Sequence, residues 1–378
     1  MTRKIDLPEI PFEITMTGCS SHAEGIGRYD NKVIFVEGGL PGERCMVKVF
    51  HRSRKMARAN LVEVLDPSPD RVEPPCPYYK ECGGCQLQHM GYDRQKSLKQ
   101  QSVQDAMRHV GNLDVEVLPV IGADTIYEYR NKMTFPLTVK DGKIRFGLHR
   151  RNSYRDIVDL EDCFLIEPGM RDCLKKAMQV LNEVLPASSV YCYSNRDGNL
   201  RYLSIRSFAG KVVLLLVMRE YLEAEANLLG NRWVNECGAS GVAFYESPDV
   251  NEYDWGMRPA KLMVGETTWP IPYGDIIGTA GPLTFLQTNS AMTRKLYDYV
   301  LSIPVQNKEC LFDGYCGIGL FSLALAKEYQ HIIGVEIDPN AIATANASAA
   351  QHGFDNCHFL AGPVEHVLRI YGNPLVTN

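Results

Sequence analysis

A chain of 378 residues is longer than one hydrophobic core usually spans, so two or three domains are expected. Hydrophobic residues make up 45% and charged residues 22%, and the formal charge of −5 excludes a protein that coats nucleic acid indiscriminately, though not local basic faces. Val212 to Met218, the longest apolar run, is far too short to span a membrane, and the start lacks a secretory signal; no membrane partner and a cytoplasmic location are expected.

In chain order, residues 11–66 read as short strands broken by glycine turns, which predicts a small OB-like barrel. Val33 to Val36 is one strand. Cys45 to Phe50 is another, with Val47 and Val49 on one face and Met46, Lys48 and Phe50 on the other; Arg58 to Leu65 follows. A cysteine-rich segment covers residues 74–90. A helix is expected from Arg94 to Val110, its apolar positions Leu98, Val103, Met107 and Val110 at helical spacing and Gly111-Asn112 as its end. Residues 115–275 read as an α+β region, with strands at Tyr129–Val139, Ile144–His149, Leu200–Ser207 and Val212–Met218 and a helix at Cys173–Leu185. From Asn289 helix and strand alternate: helix to Ile303, strand Cys310–Gly314, helix Leu320–Glu328, strand His331–Glu336, helix Asn340–His352, strand Cys357–Leu360. That alternation predicts a parallel, doubly wound α/β sheet. The expected domains are 1–68, 69–275 and 276–378.

The sharpest chemistry lies in Leu311-Phe-Asp-Gly-Tyr-Cys-Gly-Ile-Gly-Leu-Phe321, between a predicted strand and a predicted helix. Gly317 and Gly319 allow a tight turn and close approach to a ligand, and Asp313 can accept hydrogen bonds from a cationic or hydroxyl-bearing ligand. Glu336, at the end of the next strand, suits a ribose diol. The missing third glycine of a dinucleotide fingerprint fits S-adenosylmethionine, which has no pyrophosphate. The alternatives are glycines that only permit close packing, or another nucleotide. Cys316 is read as packing rather than as a nucleophile.

Cys76, Cys82 and Cys85, with Cys163 far downstream, supply four candidate thiolates, and Gly83-Gly84 permits a tight turn between two of them. Four thiolates hold zinc or an iron–sulfur cluster, and spacing does not choose. Twelve cysteines in a chain of this kind favour such ligation over disulfides. Two basic stretches lack acids. One holds Arg44, Lys48, Arg52, Arg54, Lys55 and Arg58; the other holds Lys143, Arg145, Arg150, Arg151 and Arg155. Either could follow an RNA backbone, with His51 and Tyr154 available to stack, or could be a solvated face. Arg130 and Lys132 are candidates at a substrate mouth, whereas Asn131 can serve simply to satisfy backbone groups.

With these motifs on the page, the chain resembles the TRAM-domain RNA (uracil-5-)-methyltransferases. The resemblance runs through the Glu24-Gly-Ile-Gly-Arg28 turn, Glu128-Tyr-Arg-Asn-Lys132, Phe146-Gly-Leu-His149, Val158-Asp-Leu-Glu-Asp-Cys163, Phe285-Leu-Gln-Thr-Asn289 and the Asp313–Phe321 turn. It implies a multidomain architecture: a TRAM barrel, a central α+β domain with a cysteine cluster, and a Rossmann-like methyltransferase domain. It further implies cofactor roles for Gln287, Tyr315 and Glu336, a 4Fe-4S cluster on the four cysteines, and an RNA substrate. Of the RNAs, 23S ribosomal RNA is favoured over transfer RNA, because transfer-RNA relatives typically lack the barrel and the cluster. A monomer is expected. Two positions depart from the family: Leu320 stands where a small or polar residue is frequent, and Pro363 where an acidic or amide group is.

Uracil C5 is a weak nucleophile. The family's solution is addition of a cysteine thiolate to C6, attack of C5 on the activated methyl, removal of the C5 proton by a glutamate, and release of the cysteine. That cysteine follows an Asp-Pro-Pro-Arg motif, which does not occur here. Nucleophile and base are therefore expected downstream of Asn378, the sequence holding about three of seven sheet strands and lacking roughly 80 residues. The full product is expected to methylate RNA and the 378 residues alone to be inactive. The rivals are a non-catalytic RNA-binding or iron–sulfur module, a transfer-RNA uracil methyltransferase, and a radical methylthiotransferase. The last wants a Cys-x3-Cys-x2-Cys motif, and the first gap here is wider.

Overall fold

The computed structural model describes residues 7–20, 22–153, 155–248 and 259–371; the predicted stacking residue Tyr154 lies outside them. By contacts the chain falls into two units, Met1–Asp124 with His149–Val158, and Thr125–Leu148 with Asp159–Asn378. No helix among the described residues is long and apolar enough to cross a membrane.

In the first unit, strands β1 (Phe12–Cys19), β2 (Glu24–Tyr29), β3 (Lys32–Glu37), β4 (Arg44–Arg52) and β5 (Met56–Asp66) close a barrel in the order β1-β2-β3-β5-β4. Period-two alternation builds its core: Phe12, Ile14 and Met16 point inward to meet Ile34, Val36, Cys45 and Val47. On β4 the predicted faces hold, with Val47 buried and Val49 packed against the core while Lys48 and Phe50 are exposed. Glu24 to Arg28, expected as a turn, is instead strand β2. The reversal falls just after it at Asp30 and Asn31 (φ 44° and 66°), short polar residues that tolerate this conformation. Gly27 leaves room for the neighbouring strand, since a Cβ there would lie 2.6 Å from Ile14 Cδ1. Glu43 is fully buried and bound by Arg71 at 2.5 and 2.8 Å and by the Leu40 and Ser68 amides, which secures the chain as it leaves the barrel.

Helix α1 (Tyr92–His109) follows the cysteine loop, and none of its residues is buried. Its apolar periodicity predicts a packed face, but Val103, Met107 and Val110 are 45%, 38% and 83% exposed. Polar contacts hold the returning chain instead: Gln100 Nε2 donates to Val117 O and Gln104 Nε2 to Val115 O, each at 2.7 Å. Asn112, at φ 51°, makes the turn expected there.

The second unit opens with β6 (Lys132–Lys140) and β7 (Lys143–His149); β8 (Ile157–Asp159) falls where the chain passes from one unit to the other. Then come α2 (Pro168–Val184), β9 (Leu200–Phe208), β10 (Lys211–Met218), α3 (Glu223–Cys237), β11 (Ala239–Glu246) and β12 (Leu262–Gly265). Strands in the order β12-β11-β10-β9-β6-β7 share one sheet. It is mainly antiparallel, but β10 and β11 pair in parallel across α3. Sequence periodicity did not reveal α3 or β11. The apolar positions of α3 are covered by α2 and the sheet, and Trp233 Nε1 donates to Ala177 O at 3.0 Å.

The hairpin β13 (Trp269–Tyr273) and β14 (Ile276–Ala280) leads to α4 (Ser290–Ser302). Beyond it β15 (Cys310–Gly314), α5 (Leu320–Ala324), β16 (His331–Glu336), α6 (Pro339–His352), β17 (Cys357–Ala361) and α7 (Val364–Tyr371) alternate. The three strands are parallel in sequence order, the α/β pattern expected. Only α5 is shorter than its periodicity suggests, tightening after Ala324, where the Leu325 amide turns to Ser322 O.

Candidate functional site

Between β15 and α5, Tyr315, Gly317 and Gly319 all take positive φ (64°, 55° and 73°). Gly319 is required twice, by conformation and by space, since a Cβ would lie 2.7 Å from the Phe359 ring; at Gly317 the space is open and the need is conformational. The Gly317 amide donates to Glu336 Oε2 at 3.2 Å, and Glu336 Oε1 accepts from the Ile337 and Asp338 amides at 2.7 and 3.1 Å. Turn and carboxylate therefore meet at the carboxyl ends of parallel strands, where open α/β sheets bind ligands.

Asp313 sits deeper. Its carboxyl is pushed up by burial and accepts from Ser322 Oγ at 2.6 Å, so one oxygen is already engaged within the protein. The Tyr315 ring is 68% exposed, and its hydroxyl donates to Glu365 Oε1 on α7 at 2.6 Å, a partner no sequence motif marked. Burial, with the Asp313 and Glu336 charges, pushes the Cys316 thiol up to about 12, leaving it protonated at neutral pH and a poor nucleophile.

The Gln287 side chain is exposed, while its backbone carbonyl accepts from Asn131 Nδ2 at 3.0 Å. The same Asn131 amide reaches Ser290 Oγ at 2.8 Å, and the Asn131 N–H donates to Thr288 O at 3.0 Å. Leu286 packs against the cluster that contains Ile318 and Leu320, so the Gln287 segment and the glycine turn share one core. Of the two departures from the family pattern, Leu320 is buried core that fills the space beside Gly278, and Pro363 starts α7 by accepting from the His366 and Val367 amides.

In the first unit Cys76, Cys82 and Cys85 lie on one loop that residues 149–152 strap in place. Gly83 N–H donates to His149 O at 2.9 Å. Arg151 bonds Glu37 and donates to the carbonyls of Tyr79, Cys82 and Cys85 at 3.0, 3.4 and 2.7 Å, its guanidinium 5.1 Å from the Tyr79 ring centre. Gly84 N–H donates to Cys82 Sγ at 3.4 Å, a contact that suits a thiolate. Burial nevertheless pushes the Cys82 thiol up, and the three thiols supply only the donor type that a metal centre would need. Among the described residues, however, no three metal-binding side chains converge on one point. Cys163 belongs to the second unit and is buried, its amide donating to Asp162 Oδ1 at 2.7 Å.

The basic stretches separate. Lys48, Arg52, Arg54, Lys55 and Arg58 are all exposed on the β4–β5 hairpin, beside exposed His51 and Phe50. Of these, Arg58 pairs with Glu24 at 3.1 Å and Arg52 donates to Pro8 O at 3.2 Å. Arg150 instead pairs with Glu81 at 2.5 Å, and Arg151 is the loop clamp just described. Its guanidinium is committed to protein acceptors, which argues against the predicted phosphate contact. In the second unit Arg130 Nε donates to Lys132 O at 3.0 Å, and burial together with the Arg206 and Arg130 charges pushes the Lys132 amine down.

Residues 279–368 match the model of the tRNA (uracil-5-)-methyltransferase family, and residues 12–62 that of the TRAM domain. An uncharacterised RNA methyltransferase of Clostridium tetani is 31% identical over 363 residues, covering 94% of this chain and 78% of the relative. Another from Halalkalibacterium halodurans is 31% identical over 361 residues, with the same coverage of 94% and 78%. Among solved structures, the Pyrococcus abyssi tRNA (uracil-54, C5)-methyltransferase in complex with S-adenosyl-L-homocysteine aligns over 92% of this chain and 79% of its own. Its TM-score is 0.71 at 23% identity, a likeness of fold.

Proposed function

Because the chain belongs to the TRAM-domain RNA (uracil-5-)-methyltransferases, we propose that it serves S-adenosylmethionine-dependent formation of 5-methyluridine in RNA, with 23S ribosomal RNA the favoured substrate. The observation that carries the cofactor reading is the contact between the Gly317 amide and the Glu336 carboxylate at 3.2 Å. The turn and the carboxylate, in this reading, border one ligand space at the strand ends. In this reading Glu336 accepts from the ribose hydroxyls, and Asp313 offers its remaining oxygen to the sulfonium's amino-acid end. Gln287 hydrogen-bonds that end as well, and the exposed Tyr315 ring packs on it. The β4–β5 hairpin of the first unit contacts RNA phosphates, and in the second unit Arg130 and Lys132 are separate candidates for RNA contact.

The target uridine must be unstacked for its C5 to reach the methyl group. Thiolate addition to C6 makes C5 nucleophilic; C5 takes the methyl from the sulfonium; a base removes the C5 proton and the thiolate departs. No Asp-Pro-Pro-Arg occurs among the 378 residues, and none of them is assigned as nucleophile or base. A 4Fe-4S cluster drawing on the Cys76, Cys82 and Cys85 thiols is part of the reading. It rests on the resemblance and the thiol donors, and its role is structural, because methyl transfer needs no electron exchange. Iron and acid-labile sulfide assays on anaerobically purified protein test it, and metal-free protein that is fully folded would remove it.

Mass spectrometry of ribosomal and transfer RNA from cells with and without the gene tests the function. Loss of a 5-methyluridine from 23S RNA supports the proposal. Loss from transfer RNA instead, the substrate of the Pyrococcus abyssi enzyme, moves the substrate; no loss in either RNA removes the activity.

A further inference from the structure

Strand β9 is buried along its whole length, yet it carries Arg206, which is only 2% exposed. No carboxylate among the described residues pairs with it. Burial pushes its guanidinium down to about 10, so it remains charged at neutral pH. Directly across the β6–β9 ladder stands Lys132, a like charge that by itself disfavours the pairing. A cation kept in so unfavourable a place needs a local reason, and its bonds supply one. Nη1 donates to Pro282 O at 2.6 Å and Nη2 to Thr284 O at 2.7 Å, with the guanidinium carbon 4.7 Å from the Phe208 ring centre.

The segment so held leads directly to Leu286, which packs against both the central-sheet core and the core beneath the glycine turn, and then to Gln287. Asn131 grips the far side of the same segment through Gln287 O and Thr288 O. We propose that Arg206 is a positioning residue of the cofactor site, its two-carbonyl grip on residues 282–284 setting where Gln287 meets the cofactor's amino-acid end. The inference rests on the cofactor reading above. An arginine suits the task because its rigid planar fork carries the two carbonyls on two separate nitrogens at fixed spacing, whereas a lysine would have to reach both from one freely rotating nitrogen.

The test uses the full 378-residue chain, with calorimetric titration of S-adenosylhomocysteine and hydrogen exchange of amides 285–288. Arg206→Met is expected to weaken binding about tenfold or more, the worth of a lost charge-assisted hydrogen bond, with Arg206→Lys intermediate. Exchange at 285–288 should rise in the same order. Trp233→Phe, on α3, is the control: it should lower the unfolding temperature without moving either readout. Equal affinity in all variants, or the same loss in Trp233→Phe, overturns the proposal. If the wild-type chain binds no S-adenosylhomocysteine, the cofactor reading fails; unchanged exchange in Arg206→Met refutes the clamp itself.

Discussion

The basic run on the β4–β5 hairpin and the first-unit end of the second run, Arg150 and Arg151, look alike in sequence and behave differently in space. On the β4–β5 hairpin, Lys48, Arg54 and Lys55 extend from exposed positions into water. At residues 150–151 the charges are taken up by the protein, Arg150 by Glu81 in a surface pair and Arg151, largely covered, by Glu37 and three loop carbonyls. Both runs lack acids locally. The partners of the second come from residues far away in the chain, which a linear reading of charge does not register. The general lesson is that a positive run is evidence of nucleic-acid binding only where its charges have no better partner within the fold.

The comparison sharpens through substitutions, beginning with the arginine most deeply engaged. Glu43, fully buried against Arg71, is the extreme case of an inward-facing pair, and Glu43→Gln is expected to destabilise the barrel by about 3–5 kcal/mol in denaturant unfolding. Burial alone would raise the Glu43 carboxyl, but Arg71 and two amides hold it below its ordinary value. Its contribution is therefore present above the unfolded pKa of about 4.3 and is lost as pH falls through the lower folded value. Acid titration of the wild type and Glu43→Gln should converge at low pH.

Next, Arg151→Met should lower stability by about 2 kcal/mol, discounted for its partial exposure, while the salt dependence of RNA binding stays unchanged. A flattened salt slope would return Arg151 to the RNA face. Gly319→Ala, which meets both strain and the Phe359 ring, should lower stability by about 1–3 kcal/mol, and Gly317→Ala by about 1, as followed by thermal unfolding. Smallest in stability is the outward run. Lys48→Ala with Lys55→Ala should change unfolding by less than about 0.5 kcal/mol, yet reduce the slope of log affinity against log salt by about 2. An unaltered slope would show that the hairpin does not follow phosphates.

Local chemistry made much of this protein legible from its sequence. The barrel strands follow from period-two alternation, and the β15–β16–β17 repeat from helices and strands that each carry their own apolar pattern. The approach of Gly317 to Glu336 follows from short connections in a parallel sheet, which bring successive strand ends to one edge. Other features depended on partners distant in sequence. The apolar positions of α1 have helical spacing and are still exposed, because periodicity states that a face exists and not that anything covers it. Strand β11 lies beside β10 only by virtue of the α3 crossover, and α3 is held by a sheet that no local window contains.

The residues that organise the site divide in the same way. Glycines at positive φ announce themselves, since only backbone freedom explains them there, and a carboxylate at a strand end is readable from its position alone. The side chains of Arg206, Asn131 and Arg151 act through carbonyls contributed by segments up to 156 residues away, and a carbonyl has no sequence identity to recognise. The sequence by itself determined the barrel and the parallel α/β pattern, the glycine turn and the family. The tertiary structure decided which cations face water and which hold the loops, because hydrogen bonding to main-chain oxygen depends on where the backbone passes and not on which residues it carries.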